Sequence, residues 1–329
     1  MTRRNRYYDG PVSGHFDGNR FFSHDEPPRR GMATHLRMVR GQIARRWTAP
    51  PRPVRPVVPP QRVAALRVTS IGHSSLLVQV AGHNLLIDPV FAEWLGPWPH
   101  SGPRRAHPPG IRWEDLPPID AILLTHNHWD HLDGPGIARL WARFAPRILA
   151  PLGNDAVLRR YDRAMPVETL DWGQGLRLSD GLSVHLEPAL HWSGRSLWDR
   201  RMALWGSYVL TGAGGVLYHV GDTSYGDGSI FRRIREVYGP PDLALIPIGA
   251  YEPRWYVGTQ HVDPEEAVRI MLDCGARRAL GHHWGTFQLT WEEADAPPRD
   301  LAAALARHDL PPERFQPLQP GEPVDLPWP

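Results

Sequence analysis

The segment Thr125-His126-Asn127-His128-Trp129-Asp130-His131-Leu132-Asp133 decides how the rest of this chain is read. It places three histidines and one aspartate within six positions, as His-x-His-x-Asp-His. The apolar run Ile119-Asp120-Ala121-Ile122-Leu123-Leu124 before it predicts a buried strand. After it, Gly134-Pro135-Gly136 turns into a helical pattern with Ile137, Leu140, Trp141 and Phe144 on one face, followed by a strand at Arg147-Ile148-Leu149-Ala150 and a helix over Asn154 to Tyr161. A strand-to-helix loop can aim alternate side chains at a common point, and imidazole and carboxylate donors suit Zn²⁺, with Mn²⁺ or Fe²⁺ as competitors. A single His-x-His pair is often an ordinary surface feature, whereas four such donors at a strand end mark a metal or catalytic site. One loop does not close a site, so further ligands are expected downstream.

Working outward, the same grammar recurs: an apolar strand stops and a His or Asp stands at its exit. Val184-His185-Leu186-Glu187 runs on to His191, Gly215 to Val220 ends in Gly221-Asp222, and Ala279-Leu280-Gly281 precedes His282-His283. His126, His128, Asp130, His131, His191, Asp222 and His283 all obey the rule, although spacing does not choose between His282 and His283. Trp205 to Leu210 pairs with the Gly215 strand, and Leu243 to Pro247 is a buried strand leading into Gly249-Ala250-Tyr251-Glu252-Pro253, with a helix from Pro264. Upstream, Val68 to Ile71, Leu76 to Val80 and Leu85 to Ile87 read as strands, the last two as a hairpin ending in Asp88-Pro89. Asp88 either orients a ligand histidine or caps its turn, and His73 carries the same pair of readings. Residues 94–118, rich in Trp, Pro, Gly and Arg, read as a binding loop or a plain surface crossing. After Trp291 a helix over Leu301 to His308 and then loop are expected. Two strand-rich halves with intervening helices predict an α/β sandwich, in which distant strand exits share one edge.

The chain has 329 residues, 41% hydrophobic, enough for one large domain or two modest ones. One cysteine, Cys274, excludes an internal disulfide and a thiolate zinc site, and reads as a small buried apolar residue. No run is long enough to span a membrane and no secretory signal follows the basic start, so the expected location is the cytoplasm. All 37 basic residues are arginine, as a genome-wide codon bias would produce, so their number alone does not point to nucleic acid. Their distribution says more: residues 1–67 hold 14 Arg against 4 acidic residues, and residues 68–329 hold 23 against 31. A basic arm precedes an acidic body.

Within that arm, residues 1–30 look extended and laid over the body, and Met32 to Trp47 is helical with Leu36, Val39, Ile43 and Trp47 on one face. Such a basic amphipathic helix either docks on the acidic body or meets an anionic membrane surface, and the two are compatible. Pro50 to Pro60 forms a stiff connector. The expected division is an extension over 1–61 and a catalytic domain over 62–329. His15, His24, His35, His100, His107 and His308 read as solvated.

With these residues in hand, the chain resembles metallo-β-lactamase-fold hydrolases and, among them, N-acyl-phosphatidylethanolamine-hydrolysing phospholipase D and its bacterial relatives. The resemblance runs over residues 62–291 and rests on His126 to Asp133, Ile246 to Trp255, Gln260 to Ala267 and His283-Trp284-Gly285-Thr286-Phe287. Trp129 departs from it, standing where the phospholipase usually has Tyr. The resemblance implies a four-layer αββα sandwich with two zinc ions: one on His126, His128 and His191, the other on Asp130, His131 and His283, with Asp222 bridging. It selects His283 over His282. It further implies that a metal-bridging hydroxide attacks a phosphodiester, that metals roughly 3.5–4 Å apart clamp a phosphoryl oxygen, and that Asp130, Asp222 and His261 are catalytic. Gln260 and His261 resemble residues near the substrate phosphate, unless they merely precede the helix at Pro264. Tyr251 and Arg254 are weaker substrate contacts, since a Gly-Ala-Tyr turn can be structural.

The implied substrate is N-acyl-phosphatidylethanolamine or a related glycerophospholipid. The alternative is a lactonase or small-phosphodiester hydrolase on the same dinuclear scaffold. A nuclease is disfavoured by the acidic body and the lack of an obvious RNA-binding insert. A diiron redox module is disfavoured because such relatives usually carry an acidic residue where His128 stands.

Overall fold

Alternation of side chains along each strand sends successive residues to opposite faces, and here both faces are apolar, so each sheet must be covered twice. In the computed structural model, which describes residues 5–23, 31–47, 53–212 and 214–328, this is met by two seven-stranded sheets packed face to face with helices outside. In chain order the strands are β1 (Leu66–Gly72), β2 (Ser75–Val80), β3 (His83–Ile87), β4 (Ala121–Leu123), β5 (Arg147–Pro151), β6 (Val167–Leu170), β7 (Gly175–Ser179), β8 (Leu182–Glu187), β9 (Ser207–Gly212), β10 (Gly215–His219), β11 (Leu243–Pro247), β12 (Arg278–His282), β13 (Phe315–Pro317) and β14 (Pro323–Leu326). One sheet has the order β14-β1-β2-β3-β4-β5-β6, the other β13-β12-β11-β10-β9-β8-β7. Each begins as an antiparallel meander and continues as a parallel run, β3-β4-β5-β6 in the first and β10-β11-β12-β13 in the second.

The helices are α1 (Met32–Ala44), α2 (Gly134–Phe144), α3 (Asn154–Leu158), α4 (Ser229–Tyr238), α5 (Arg254–Val257), α6 (Pro264–Cys274) and α7 (Ala296–Arg307). Leu76, Val78, Leu85 and Ile87 point between the sheets, while Leu77, Leu86, Ile122 and Ile148 point outward against Ile137 and Leu140 of α2 and Val157 of α3. In the second sheet Leu217, Leu243, Leu245 and Leu280 face inward, and Tyr218, Ala244 and Ile246 face Phe231 of α4, Met271 of α6 and Leu301 of α7. Each fully buried aliphatic side chain contributes roughly 1.5–3 kcal/mol, so the three layers of apolar contact, not any single bond, hold the αββα sandwich. Cys274 lies buried in the outer layer, its thiol pushed up to about 12 by burial.

Four strands went unread in the sequence: β6, β7, β13 and β14. All four are sheet edges, where one side of the ladder is unpaired and Pro or polar residues are tolerated; Pro317 ends β13 and Pro323 begins β14. The final helix begins at Ala296, five residues before the expected start.

The N-terminal segment does more than lie over the body. Phe16 and Phe21 are fully buried in the inter-sheet layer, with the Tyr8 ring 5.0 and 5.3 Å from theirs, because large aromatic rings gain more by entering the open end of that layer than by covering it. Asn5 Nδ2 donates to the Met202 carbonyl and Tyr7 OH to Asp199.

Helix α1 docks on the body by a different face from the one its periodicity marks. Met38 is its buried residue, Leu36 and Ile43 stay 49% and 71% exposed, and Trp47 Nε1 donates to the Glu292 carbonyl. The docked face is set by the indole of Trp291, which donates to the Met38 carbonyl at 2.9 Å and leaves no room for a side chain at Gly41. Arg37 and Arg45 stack on Trp255 and Trp291.

Several histidines expected to be solvated have partners: His15 with Asp171 at 2.7 Å, His35 with Tyr256, His107 with Thr286 and His308 with Glu265. His24, residues 1–4 and 24–30 of the extended stretch, and residues 50–52 of the connector lie outside the described residues.

Candidate metal centre

Parallel neighbours end at the same edge, and β3-β4 and β10-β11-β12 are parallel. Strand β8, two antiparallel steps from β10, points the same way. The exits of β3, β4, β8, β10 and β12 therefore deliver Asp88, the His126–Asp133 loop, His191, Asp222 and His283 to one rim. Asp133 caps α2 by accepting from Gly136 N, and also accepts from Phe91 N and Ala92 N, which fixes the far end of the loop. Arg195 fixes the near end, donating to the carbonyls of Asn127 and Leu132 while its guanidinium lies 3.5 Å over Trp129.

All seven side chains marked at strand exits meet. His126 Nε2 and His191 Nε2 stand 2.9 and 3.1 Å from His128 Nδ1. Asp130 Oδ2 stands 3.5 Å from His131 Nε2 and 3.4 Å from His283 Nε2. Between the two groups, Asp222 Oδ2 lies 3.1 Å from His131, 3.2 Å from His283, 3.7 Å from His191 and 3.9 Å from His126. His282, the last residue of β12, stacks on His219 at 4.9 Å, and the chain turns at His283, where φ is 64°.

Hydrogen bonds on the outer ring nitrogens settle which way the lone pairs point. His131 Nδ1 donates to Asp88 Oδ2 at 2.7 Å, and His191 Nδ1 donates to the Gln260 carbonyl at 3.0 Å. Thr125 Oγ1 donates to Asp88 Oδ2, which leaves it to accept from His126 Nδ1 at 2.9 Å. As cation ligands these imidazoles would be neutral and carry one N–H each, so the Nε2 atoms of His126, His131 and His191 would turn lone pairs toward each other and Asp222. Converging lone pairs repel unless a cation lies among them, and His and Asp donors are those Zn²⁺, Mn²⁺ and Fe²⁺ accept. The residues fit a dinuclear site: His126, His128 and His191 on one side, Asp130, His131 and His283 on the other, Asp222 shared.

The field agrees. Burial holds His126, His128 and His191 below the ordinary histidine value, His128 down to about 3. Burial opposes charge on His131 and His283 too, yet the carboxylates of Asp222 and Asp130 outweigh it, raising His131 strongly and His283 to about 9. Burial works against the Asp222 and Asp130 carboxylates as well, and the surrounding imidazoles outweigh it, keeping both ionised. Positive charge is demanded at the shared rim. His73, Asp88, Ala250 and His283 all adopt positive φ without being glycine, a backbone cost of about 1–3 kcal/mol each that gathers at functional loops.

His261 completes the rim: its Nδ1 lies 3.9 Å from Asp222 Oδ2, and its ring lies 5.1 Å from that of His191 and 5.4 Å from that of His283. The Gln260 side chain accepts from Trp192 Nε1 at 2.6 Å. Arg254 is turned into the protein, donating to the His261 carbonyl and to Glu266. Tyr251 is buried and its hydroxyl donates to Asp300 on α7, at 2.5 Å. Thr125, the Gln260 carbonyl and Arg195 carry no sequence signal of their own, being polar or backbone groups whose partners are remote. Beyond Trp129, a cleft of about 490 Å³ opens between Trp94, Trp98, Tyr161 and Arg195, lined by none of the seven.

A family model described as a beta-lactamase superfamily domain matches residues 83–284. The chain is 35% identical over 270 residues to N-acyl-phosphatidylethanolamine-hydrolyzing phospholipase D 1 of Caenorhabditis elegans, covering 79% of this chain and 75% of that one. An uncharacterized protein of Mycobacterium tuberculosis is 38% identical over 270 residues, covering 78% of this chain and 70% of its own. The solved isothiocyanate hydrolase from Delia radicum gut bacteria superposes with a TM-score of 0.62 at 21% identity, over 80% of this chain and 100% of that one. Fold, paired ligand groups and these matches agree: the chain belongs to the metallo-β-lactamase superfamily, as a metal-dependent hydrolase with N-acyl-phosphatidylethanolamine-hydrolysing phospholipases D among its relatives.

Proposed function

We propose that this protein is a zinc-dependent phosphodiesterase of the phospholipase D type, acting on N-acyl-phosphatidylethanolamine or a related glycerophospholipid. The observation that carries the proposal is Asp222 Oδ2, placed within 3.9 Å of imidazoles from both ligand groups, in a chain 35% identical to a phospholipase of that name over 75% of its length. Two divalent cations in such a site supply Lewis acidity toward a phosphoryl oxygen and lower the pKa of water.

The chain's own residues then divide the work. His261, at the rim with no hydrogen bond on Nδ1 among the described residues, contacts the substrate phosphate. Gln260 holds His191 through its carbonyl and Trp192 through its side chain, shaping the wall beside that contact. Asp130, ionised and 9% exposed, takes the proton released in hydrolysis. Tyr251 ties its own turn to α7 through Asp300. The aromatic cleft beside Trp129 suits an acyl chain better than a polar ester.

Contact with a lipid surface follows from α1, which exposes Met32, Leu36 and Ile43 with Arg37, Arg40 and Arg46 nearby, the makings of an interfacial helix. No helix among the described residues is long and apolar enough to cross a membrane.

The test is turnover, with Zn²⁺, of N-acyl-phosphatidylethanolamine against a long-chain lactone and a soluble aryl phosphodiester. Release of phosphatidic acid and N-acylethanolamine, well above the other two rates, is expected; faster lactone or soluble-diester cleavage overturns the lipid assignment. Leu36→Glu with Ile43→Glu, both outside the docked face, should weaken binding to anionic vesicles. Unchanged binding would assign α1 to docking alone.

A further inference from the structure

His73, in the turn between β1 and β2, is bonded to neither the His126–Asp133 loop nor the β12 exit by sequence, yet it touches both. Its Nε2 lies 3.0 Å from Asp130 Oδ2. Its carbonyl accepts from His283 N at 3.0 Å, and its ring lies 4.0 Å from the His283 ring. Asp130 and His283 are two of the three side chains that make up the second ligand group with the shared Asp222. His73 is itself held hard: its N–H donates to Thr286 Oγ1 at 2.7 Å, Phe287 packs edge-on at 5.4 Å, and the residue is 3% exposed.

The backbone there has φ of 57°, in the left-handed region, which points the ring away from the strand direction of β1 and β2. Nδ1 has no hydrogen-bond partner among the described residues, which leaves Asp130 as the ring's polar attachment. An ionised carboxylate only accepts, so Nε2 carries the proton.

We propose that His73 is a positioning residue for the second cation site. Its Nε2–H fixes the carboxylate plane of Asp130, while its carbonyl fixes the backbone of His283, so one residue aligns two ligands from separate sheets. This rests on the two-cation reading of the site. It assigns His73 a donor role and excludes it from the ligands, although its nitrogen lies close enough to be counted among them.

Two measurements test this, neither of which reads turnover. In zinc-loaded wild-type protein, long-range ¹H–¹⁵N spectra of the histidine rings should show His73 as the Nε2–H tautomer; a bare Nε2 would make it a ligand and overturn the proposal. Titration of Zn²⁺ alone into the metal-free protein, followed by calorimetry, should show two binding events in the wild type. His73→Asn, which suits the backbone but cannot place a donor at the Nε2 position, should weaken one event about 10–100-fold and leave the other unchanged. His73→Gln, whose amide nitrogen reaches that position, should recover most of the loss. Equal behaviour of the two variants, or two wild-type-like events in both, removes the role of His73 alone. Fewer than two events in the wild type removes the two-cation reading and this role with it. Should the variants not fold, the tautomer measured in the wild type decides.

Discussion

Asp88 and His131 form a buried pair, Nδ1 to Oδ2 at 2.7 Å, with no exposed atom on either side chain. Asp88 also accepts from Thr125 N at 2.8 Å and Thr125 Oγ1 at 2.6 Å, so one carboxylate orients His131 directly and His126 through the Thr125 hydroxyl. Those two rings belong to different ligand groups, and Asp88 ties them together from behind.

Asp88→Asn puts an NH₂ against either the Thr125 amide or the His131 N–H, opposing two donors in a site that water does not reach. Cation affinity should fall about 10–100-fold, with a stability loss of about 1–3 kcal/mol for the unsatisfied group. Metal content after dialysis and a denaturation curve check both. Wild-type affinity would mean that His131 is oriented by packing alone.

Asp222→Asn should separate activity from fold. The carboxylate is buried among imidazoles of both groups, so removing its charge should cut kcat by about 100-fold or more. The metal-free protein should lose some stability, because the imidazoles of His131 and His283 that hold Asp222 ionised lose their counter-charge, but the loss of activity should be far larger. Zinc should raise the melting temperature less than in the wild type. Near-normal turnover would be incompatible with a shared ligand.

Gly249→Ala addresses the loop that carries His283. A methyl there would lie 2.1 Å from the His283 carbonyl oxygen and 3.0 Å from Trp284 Cα, and backbone cannot yield as a side chain does. The expected result is a stability loss of about 1–3 kcal/mol from overpacking and a zinc content reduced from two to one. Retention of both ions with an unchanged melt would show that the loop relaxes freely.

Asp199 links stability to pH. Burial opposes its charge, but Tyr7 OH and the amides of Arg195 and Ser196 outweigh this and hold its carboxyl below the ordinary value of 3.8. A folded pKa below the unfolded one stabilises fully above the unfolded value and is lost as pH falls through the folded one. Asp199→Asn should therefore cost stability at pH 7, with the gap to wild type closing below about pH 4. Asp199 is 3% exposed, so solvent screening does not erase the effect. Urea denaturation at both pH values decides; a gap that widens in acid would contradict it.

Local pattern carried much of this structure. Strands buried on both faces, such as β2, β3 and β11, are continuous apolar runs and read clearly; so do α2 and α6, capped by Asp133 and Asp263. The repeated His or Asp at strand exits marked the seven rim residues, because a donor that must reach a shared edge has to follow the last buried residue. Sequence alone was thus enough for the sandwich class and for the metal-binding character of the rim. Tertiary structure decided the rest. The edge strands β6, β7, β13 and β14 exist because a neighbour offers an unpaired ladder, which no local run of residues records. His283 rather than His282 faces the rim because the chain leaves β12 after His282 and turns at His283 with φ of 64°, while His282 stays in the strand against His219. The docked face of α1 was chosen by Trp291, more than 240 residues away, and the tie of His73 to Asp130 and His283 spans three separate elements. Hydrogen bonds and close packing depend on atoms within a few ångströms in space, and chain order does not encode that distance once the sheets have closed.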